Sequence, residues 1–177
     1  MNSYFIAIEP DAALSQNIRA ISKDFVERFN SEKAYKNFPH ITLIPPFKFP
    51  KDKEELLVKN FSGIKLDTKV FEQKLDGYSS FPNRRNPVIF IEPDNREELQ
   101  RLYNELSIFF SYTNAKGFSP HITVAYRDLT YDNYEKAWKE YEDKPFNETF
   151  TVEKVGLYKH ENDKWNLIET ISLKAFS

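Results

Sequence analysis

The sequence predicts an α/β (α+β) fold made of two matched halves, in a single two-lobed domain over residues 1–177. Three observations predict it. Short apolar and aromatic runs alternate with helical patterns along the chain. The tetrapeptide Ile8-Glu9-Pro10-Asp11 returns letter for letter as Ile91-Glu92-Pro93-Asp94. After the helical pattern that follows each copy, Pro39-His40-Ile41-Thr42 returns as Pro120-His121-Ile122-Thr123. The offsets are 83 and 81 residues, so two β–α–β units of nearly equal length end in the same four residues. Two matches in the same order and context point to duplication. Packing alone is served by apolar residues and has no need to repeat a histidine and a threonine.

Each element follows from local pattern. Tyr4–Glu9 is short, aromatic and apolar and predicts a buried strand, ended by Pro10, with Asp11 as cap of the next helix. Leu14, Ile18, Ile21, Phe25 and Phe29 recur at steps of three and four, one face of an amphipathic helix. Phe38–Phe49 predicts a strand that leaves its sheet near Pro45-Pro46, because proline cannot donate to a ladder. Lys51–Phe61 predicts a short helix capped by Asp52. Ile64–Tyr78 predicts a strand with Gly77 near its end, Ser79–Asn86 a loop and Pro87–Glu92 a buried strand. Asn95–Phe110 predicts a helix with Leu99, Leu102, Leu106 and Phe109 on one side, and Pro120–Tyr126 a strand. Tyr131–Tyr141 is helical with Tyr134, Trp138 and Tyr141 inward. Phe150–Tyr158 and Trp165–Ala175 read as a closing pair of strands, with Glu161–Lys164 as a turn. No linker or low-complexity segment divides the chain.

Composition excludes several functions. Lys+Arg number 25 and Asp+Glu 27, a net charge of −2, so coating nucleic acid or an anionic membrane is not the task. With no cysteine, thiol catalysis, cysteine-based zinc sites and disulfides are out. Only 4 glycines are present, and no Gly-rich phosphate loop is found. Met1–Glu9 lacks a basic leader pattern and no run approaches the ~18 apolar residues of a membrane span, so a soluble cytoplasmic protein is expected. Three histidines remain to be placed: His40, His121 and His160.

Side chains alternate along a strand, so His40 and Thr42 point one way and Ile41 the other, and likewise His121 and Thr123 against Ile122. If the halves pack with approximate two-fold symmetry, both His-Thr pairs line one cleft. A neutral imidazole there can take a proton from a nucleophile while a protonated one serves the leaving group. An ordinary histidine pKa of about 6.5 makes both states accessible. Threonine hydroxyls can donate to non-bridging phosphoryl oxygens. A metal site would want His-x-His or a carboxylate on the same face, and neither is present; no metal and no cofactor are expected. A Ser-His-Asp triad gains nothing from the repeat. His160 lies outside it and reads as a solvent-facing or hydrogen-bonded structural residue.

Pro39-His40-Ile41-Thr42-Leu43 and Pro120-His121-Ile122-Thr123-Val124 resemble the signature of the two-histidine (2H) phosphoesterase superfamily. That group includes the 2'-5' RNA ligase-like proteins and RNA 2',3'-cyclic phosphodiesterases. The likeness extends to the order of elements and to Ser80–Arg85 ahead of the strand Val88–Ile91. The resemblance implies a bilobal fold with pseudo-two-fold symmetry, antiparallel or mixed sheets lining a central cleft, and helices outside. It implies metal-independent hydrolysis of a 2',3'-cyclic phosphate to a 2'-phosphate, or else 2'-5' ligation or cleavage; a non-catalytic nucleotide- or RNA-binding module is the reading from another class. Carried over by motif, His40 is the acid on the leaving 3' oxygen, His121 the base that activates water, and Thr42 and Thr123 hold phosphate oxygens.

One departure is Ala125-Tyr126-Arg127, where relatives often have Ala-Arg; by strand parity Arg127 still shares the face of His121. Phe47, Tyr78 and Phe81 are candidates to stack on a base, Phe81 foremost. Lys48, Lys51, Lys53, Arg84 and Arg85 are candidates for a local basic edge. The expected partner is a nucleotide or RNA end, with no membrane, and the chain is expected to act as a monomer.

Overall fold

The two Ile-Glu-Pro-Asp copies each close a strand, and the two Pro-His-Ile-Thr copies each open one. The computed structural model describes residues 1–111 and 117–176. In chain order the elements are β1 (Asn2–Ile8), α1 (Ala12–Phe29), β2 (Ile41–Phe49), a single 3₁₀ turn (Lys51–Lys53) and α2 (Glu54–Ser62). Then come β3 (Phe71–Phe81), β4 (Val88–Pro93), α3 (Glu97–Phe109) and β5 (Ile122–Ala125). The chain closes with α4 (Tyr131–Tyr141), β6 (Asn147–Val152), β7 (Lys154–Glu161) and β8 (Lys164–Ser172).

These strands form two antiparallel four-stranded sheets, ordered β2-β1-β7-β8 and β5-β4-β3-β6. The duplication is visible in their register. Ile8 faces Ile41 and Ala7 faces Thr42 in the first sheet; Ile91 faces Ile122 and Phe90 faces Thr123 in the second. The next pairs, Ile6 with Ile44 and Ile89 with Ala125, place the same bulge after each motif threonine. The bulge turns two successive residues inward, Leu43 with Ile44 and Val124 with Ala125, all buried.

The helices cross between halves. Helix α1, which follows the first sheet's β1, packs on β5 of the second sheet; α3, from the second half, packs on β2 of the first. A continuous apolar core lies under both sheets and takes in Ile6, Ile8, Ile18, Phe25, Ile89, Ile91, Leu99 and Leu102. A separate small cluster of Phe5, Ala7 and Tyr158, with Phe38 and Trp165 against it, occupies the opposite face of the first sheet. None of the described helices is long and apolar enough to cross a membrane.

Several local expectations are corrected. The strand does not leave its sheet at Pro45-Pro46: β2 is an edge strand, the prolines fall where its register shifts, and Phe47–Phe49 pair again with β1. Asp52 caps nothing, since the 3₁₀ turn and α2 both start without a side-chain cap bond. Ser79–Phe81 is strand rather than loop, and Ile64 and Leu66 are buried outside any strand. Gly77 sits inside β3 with φ 74°, within the register shift between Leu75 and Tyr78. Phe109 is exposed and its neighbour Phe110 takes the buried place. Phe150–Tyr158 is split at Glu153, where the chain crosses from the second sheet to the first, so the closing pair is β7 with β8.

Candidate active site

The two motif strands are the edge strands of the two sheets, and both turn their polar residues into one cleft of about 570 Å³. Its first wall carries His40, Thr42, Lys48, Phe38, His160 and Trp165; its second carries His121, Thr123, Val88, Tyr126 and Arg127. A larger cavity of about 840 Å³ lies around Thr68 and Arg101, but no histidine lines it.

Both histidines stand one residue ahead of their strands rather than within them, so another device fixes their orientation. His40 Nδ1 lies 2.7 Å from the carbonyl of Phe38, and His121 Nδ1 lies 2.7 Å from the carbonyl of Ser119. In each half the ring bonds the carbonyl two residues back. A carbonyl can only accept, so Nδ1 carries the proton and Nε2 is the nitrogen offered to a ligand. Each ring is also wedged between aromatics: His40 against Phe38 at 4.7 Å and Phe5 at 5.0 Å, His121 against Phe90 at 5.0 Å and Phe81 at 5.4 Å. This enclosure penalises the charged imidazolium. Burial pushes His40 down to about 4, opposed by its backbone bond and aided by the proximity of His121. Burial lowers His121 as well.

Arg127 lines the cleft by a route that strand parity does not describe. The strand ends at Ala125, and Arg127 adopts φ 63°, the left-handed region. Its backbone N–H donates to Asn86 Oδ1 at 3.2 Å, and its guanidinium lies 5.1 Å from the centre of the Tyr126 ring. Phe81 is 39% exposed and lies edge-on to His121, while Phe47 and Tyr78 are buried in the core. Of the proposed basic edge, Lys48 reaches the cleft, its Nζ 2.6 Å from Ser3 Oγ. Arg84 lies over Tyr131 at 5.4 Å, and Lys51, Lys53 and Arg85 are exposed away from it. His160, expected as a solvent-facing or hydrogen-bonded structural residue outside the repeat, is exposed and lines the cleft beside Trp165. Trp165 went unrecognised, because a single tryptophan in a polar hairpin gives no motif. Among the described residues, no three His, Cys, Asp or Glu side chains gather as a metal-binding group.

The duplicated fold and its cleft with a histidine on each wall are those of the two-histidine phosphoesterase class. The chain belongs to the 2'-5' RNA ligase superfamily: a family model of that description matches residues 9–164. A Geobacillus sp. (strain WCH70) protein assigned as a phosphoesterase is 31% identical over 169 residues, covering 94% of each chain. A Staphylococcus epidermidis protein of the same assignment is 30% identical over 166 residues, 86% of this chain and 94% of its own. Among solved structures, E. coli LigT complexed with 3'-AMP matches with a TM-score of 0.65 at 20% identity, over 97% of this chain and 98% of that one. The same E. coli protein has also been crystallised with NADP+ and with ATP.

Proposed function

We propose that this protein hydrolyses 2',3'-cyclic phosphates of nucleotides or RNA ends to 2'-phosphates, without a metal, using His40 and His121 as acid and base. The observation that carries this reading is the matched pair of imidazoles. Both line one cleft, each has Nδ1 tied to a backbone carbonyl, and each has Nε2 left for the reaction. One Nε2 takes a proton from water as its oxygen bonds to phosphorus, and the other delivers a proton to the departing ribose oxygen. Thr42 and Thr123 donate to the non-bridging oxygens, and Arg127 supports the charge that gathers there. Phe81 holds the His121 ring. The nucleotides bound by E. coli LigT support a nucleotide substrate for this cleft.

The test is hydrolysis of the four nucleoside 2',3'-cyclic phosphates with EDTA present. Turnover to the 2'-phosphate is expected, with a loss of at least ~100-fold in each of His40→Ala and His121→Ala. Full activity in either variant would refute the mechanism, and loss of activity to EDTA would refute metal independence. Activity confined to 2'-5'-linked oligonucleotides would replace cyclic-phosphate hydrolysis by the ligase-type reaction. Binding of nucleotides without any turnover would leave a binding module.

A further inference from the structure

The cleft is two-fold in its histidines and threonines but not in its rings. On the first wall, the β7–β8 hairpin brings Trp165 and His160 to the rim. The hairpin is held by a two-residue turn: Glu161 pairs with Lys164, and Asn162 and Asp163 take φ of 54° and 59°, the form whose twist matches paired strands. The indole leans on Phe5 at 4.5 Å and meets His160 at 5.0 Å, at steep angles of 73° and 61°, so neither ring is stacked parallel upon it. Trp165 is half-buried while Phe5 behind it is buried, which leaves apolar aromatic surface open beside a polar site.

Among the described residues that line the cleft, the second wall offers no equivalent: Phe81, though 39% exposed and edge-on to His121, is not one of them. Strand β6 takes in the second sheet the place that β8 takes in the first, and its Phe150 is buried in the core. The ring facing the cleft there is Tyr126, with the Arg127 guanidinium beside it. One wall of the cleft therefore presents an open ring, and the other a delocalised cation beside Tyr126. Lys48, on the first wall, is engaged with Ser3.

We infer that Trp165 is the surface on which the base of the substrate nucleotide stacks, and that it turns the nucleoside toward the His40 wall. This deepens the phosphodiesterase reading and rests on it for the identity of the reacting group. The placement has a chemical consequence. With the nucleoside on the first wall, its ribose oxygens lie on the His40 side of phosphorus, and the in-line water lies on the His121 side. His121 Nε2 accepts the water proton as the new P–O bond forms. The P–O3' bond breaks, its electron pair stays on O3', and His40, entering the step as the imidazolium with protons on both Nδ1 and Nε2, gives its Nε2 proton to make the 3' hydroxyl and returns to the neutral Nδ1–H form. Stacking on one ring thus decides which of two near-equivalent histidines is acid and which is base.

The test compares adenosine 2',3'-cyclic phosphate with ribose 2',3'-cyclic phosphate, which lacks the base. The unaltered protein should prefer the first by roughly tenfold or more in kcat/KM, the size alanine replacement of a base-stacking ring produces. In Trp165→Ala that preference should fall toward one, mostly through KM; in Trp165→Phe it should largely return. A preference unchanged in Trp165→Ala, or absent from the unaltered protein, overturns the inference. A second readout needs no turnover. The chain has 2 tryptophans, so Trp138→Phe leaves Trp165 as its only indole. Saturable quenching of its fluorescence by 3'-AMP supports the platform even if no cyclic phosphate is hydrolysed, in which case the phosphodiesterase reading alone fails. No quenching, with hydrolysis intact, overturns the platform alone.

Discussion

Both imidazoles of the cleft favour the neutral form. His40 sits at about 4 and His121 below its ordinary value because the rings around them exclude water from the charged form. An unfolded histidine titrates near 6.5. As pH falls from about 6.5 to 4, the unfolded chain takes up a proton at His40 that the folded chain refuses, so stability is full above that window and is lost through it. The loss from His40 is at most on the order of 3 kcal/mol, reduced where solvent reaches the ring. Urea midpoints of the unaltered protein at pH 7 and 4.5 should differ by more than those of His40→Asn; equal differences would contradict the assignment. The proposed mechanism needs one ring charged, so the optimum of kcat/KM should fall on the acid side of 6.5, read from its pH profile. That these two histidines would share one cleft was legible in the sequence. Their depressed proton affinity was not, because it arises from Phe5 and Phe90 on neighbouring strands and Phe81 from a third.

At the scale of elements, the repeat kept its motif strands and lost its helix cap. Asp11 Oδ1 accepts from Leu14 N at 2.9 Å and caps α1. Its counterpart Asp94 caps nothing, because α3 starts later, beyond Arg96, with no side-chain cap bond. Asp11→Ala should cost about 1 kcal/mol and Asp94→Ala less than half of that, compared by urea unfolding. Identical letters met different contexts, and only one copy found a helix N-terminus at the right distance. The same reasoning explains the strand errors. Proline argues against a central strand, and β2 is an edge, a fact of sheet order that no local pattern carries. Ser79–Phe81 reads as loop by composition, yet Val88–Ile91 lies alongside and extends the ladder. Where periodicity was strong, as in α1 and α4, the elements appear almost as read.

For the whole molecule, the cleft exists only if the halves hold a fixed spacing. Asp128, just beyond the second motif strand, accepts hydrogen bonds from Ser31 Oγ at 2.8 Å, Glu32 N at 2.9 Å and Lys33 N at 3.1 Å. Those three residues lie between α1 and the first motif, so one carboxylate ties the chain leaving each half to the other. Arg28 with Glu140, Tyr141 with Asp24, and Asn133 with the Phe29 carbonyl extend the seam along α1 and α4. Asp128→Ala should cost about 1–3 kcal/mol, because Ser31 is buried and its hydroxyl would lose its partner. It should also lower kcat/KM although Asp128 is not among the residues lining the cleft, while Asp128→Asn recovers part of both. Unfolding and kinetics on the two variants decide it; loss of stability with full activity would separate the seam from the site.

The sequence by itself determined the duplication, the strand or helix type of most segments, and six candidates that line the cleft, His40, Thr42, Lys48, His121, Thr123 and Arg127. Those features are local: apolar spacing, a repeated tetrapeptide and the alternation of side chains. The tertiary structure decided what depends on residues far apart in the chain. It set the strand order that put Pro45 and Pro46 on an edge, the crossover at Glu153 and the rings that discharge the histidines. It also brought Trp165 and His160 into the cleft from the last hairpin, more than a hundred residues from His40. Pattern reports which face a side chain shares with its near neighbours. Only packing reports which distant face it meets, and in this protein the substrate would lie between two such faces.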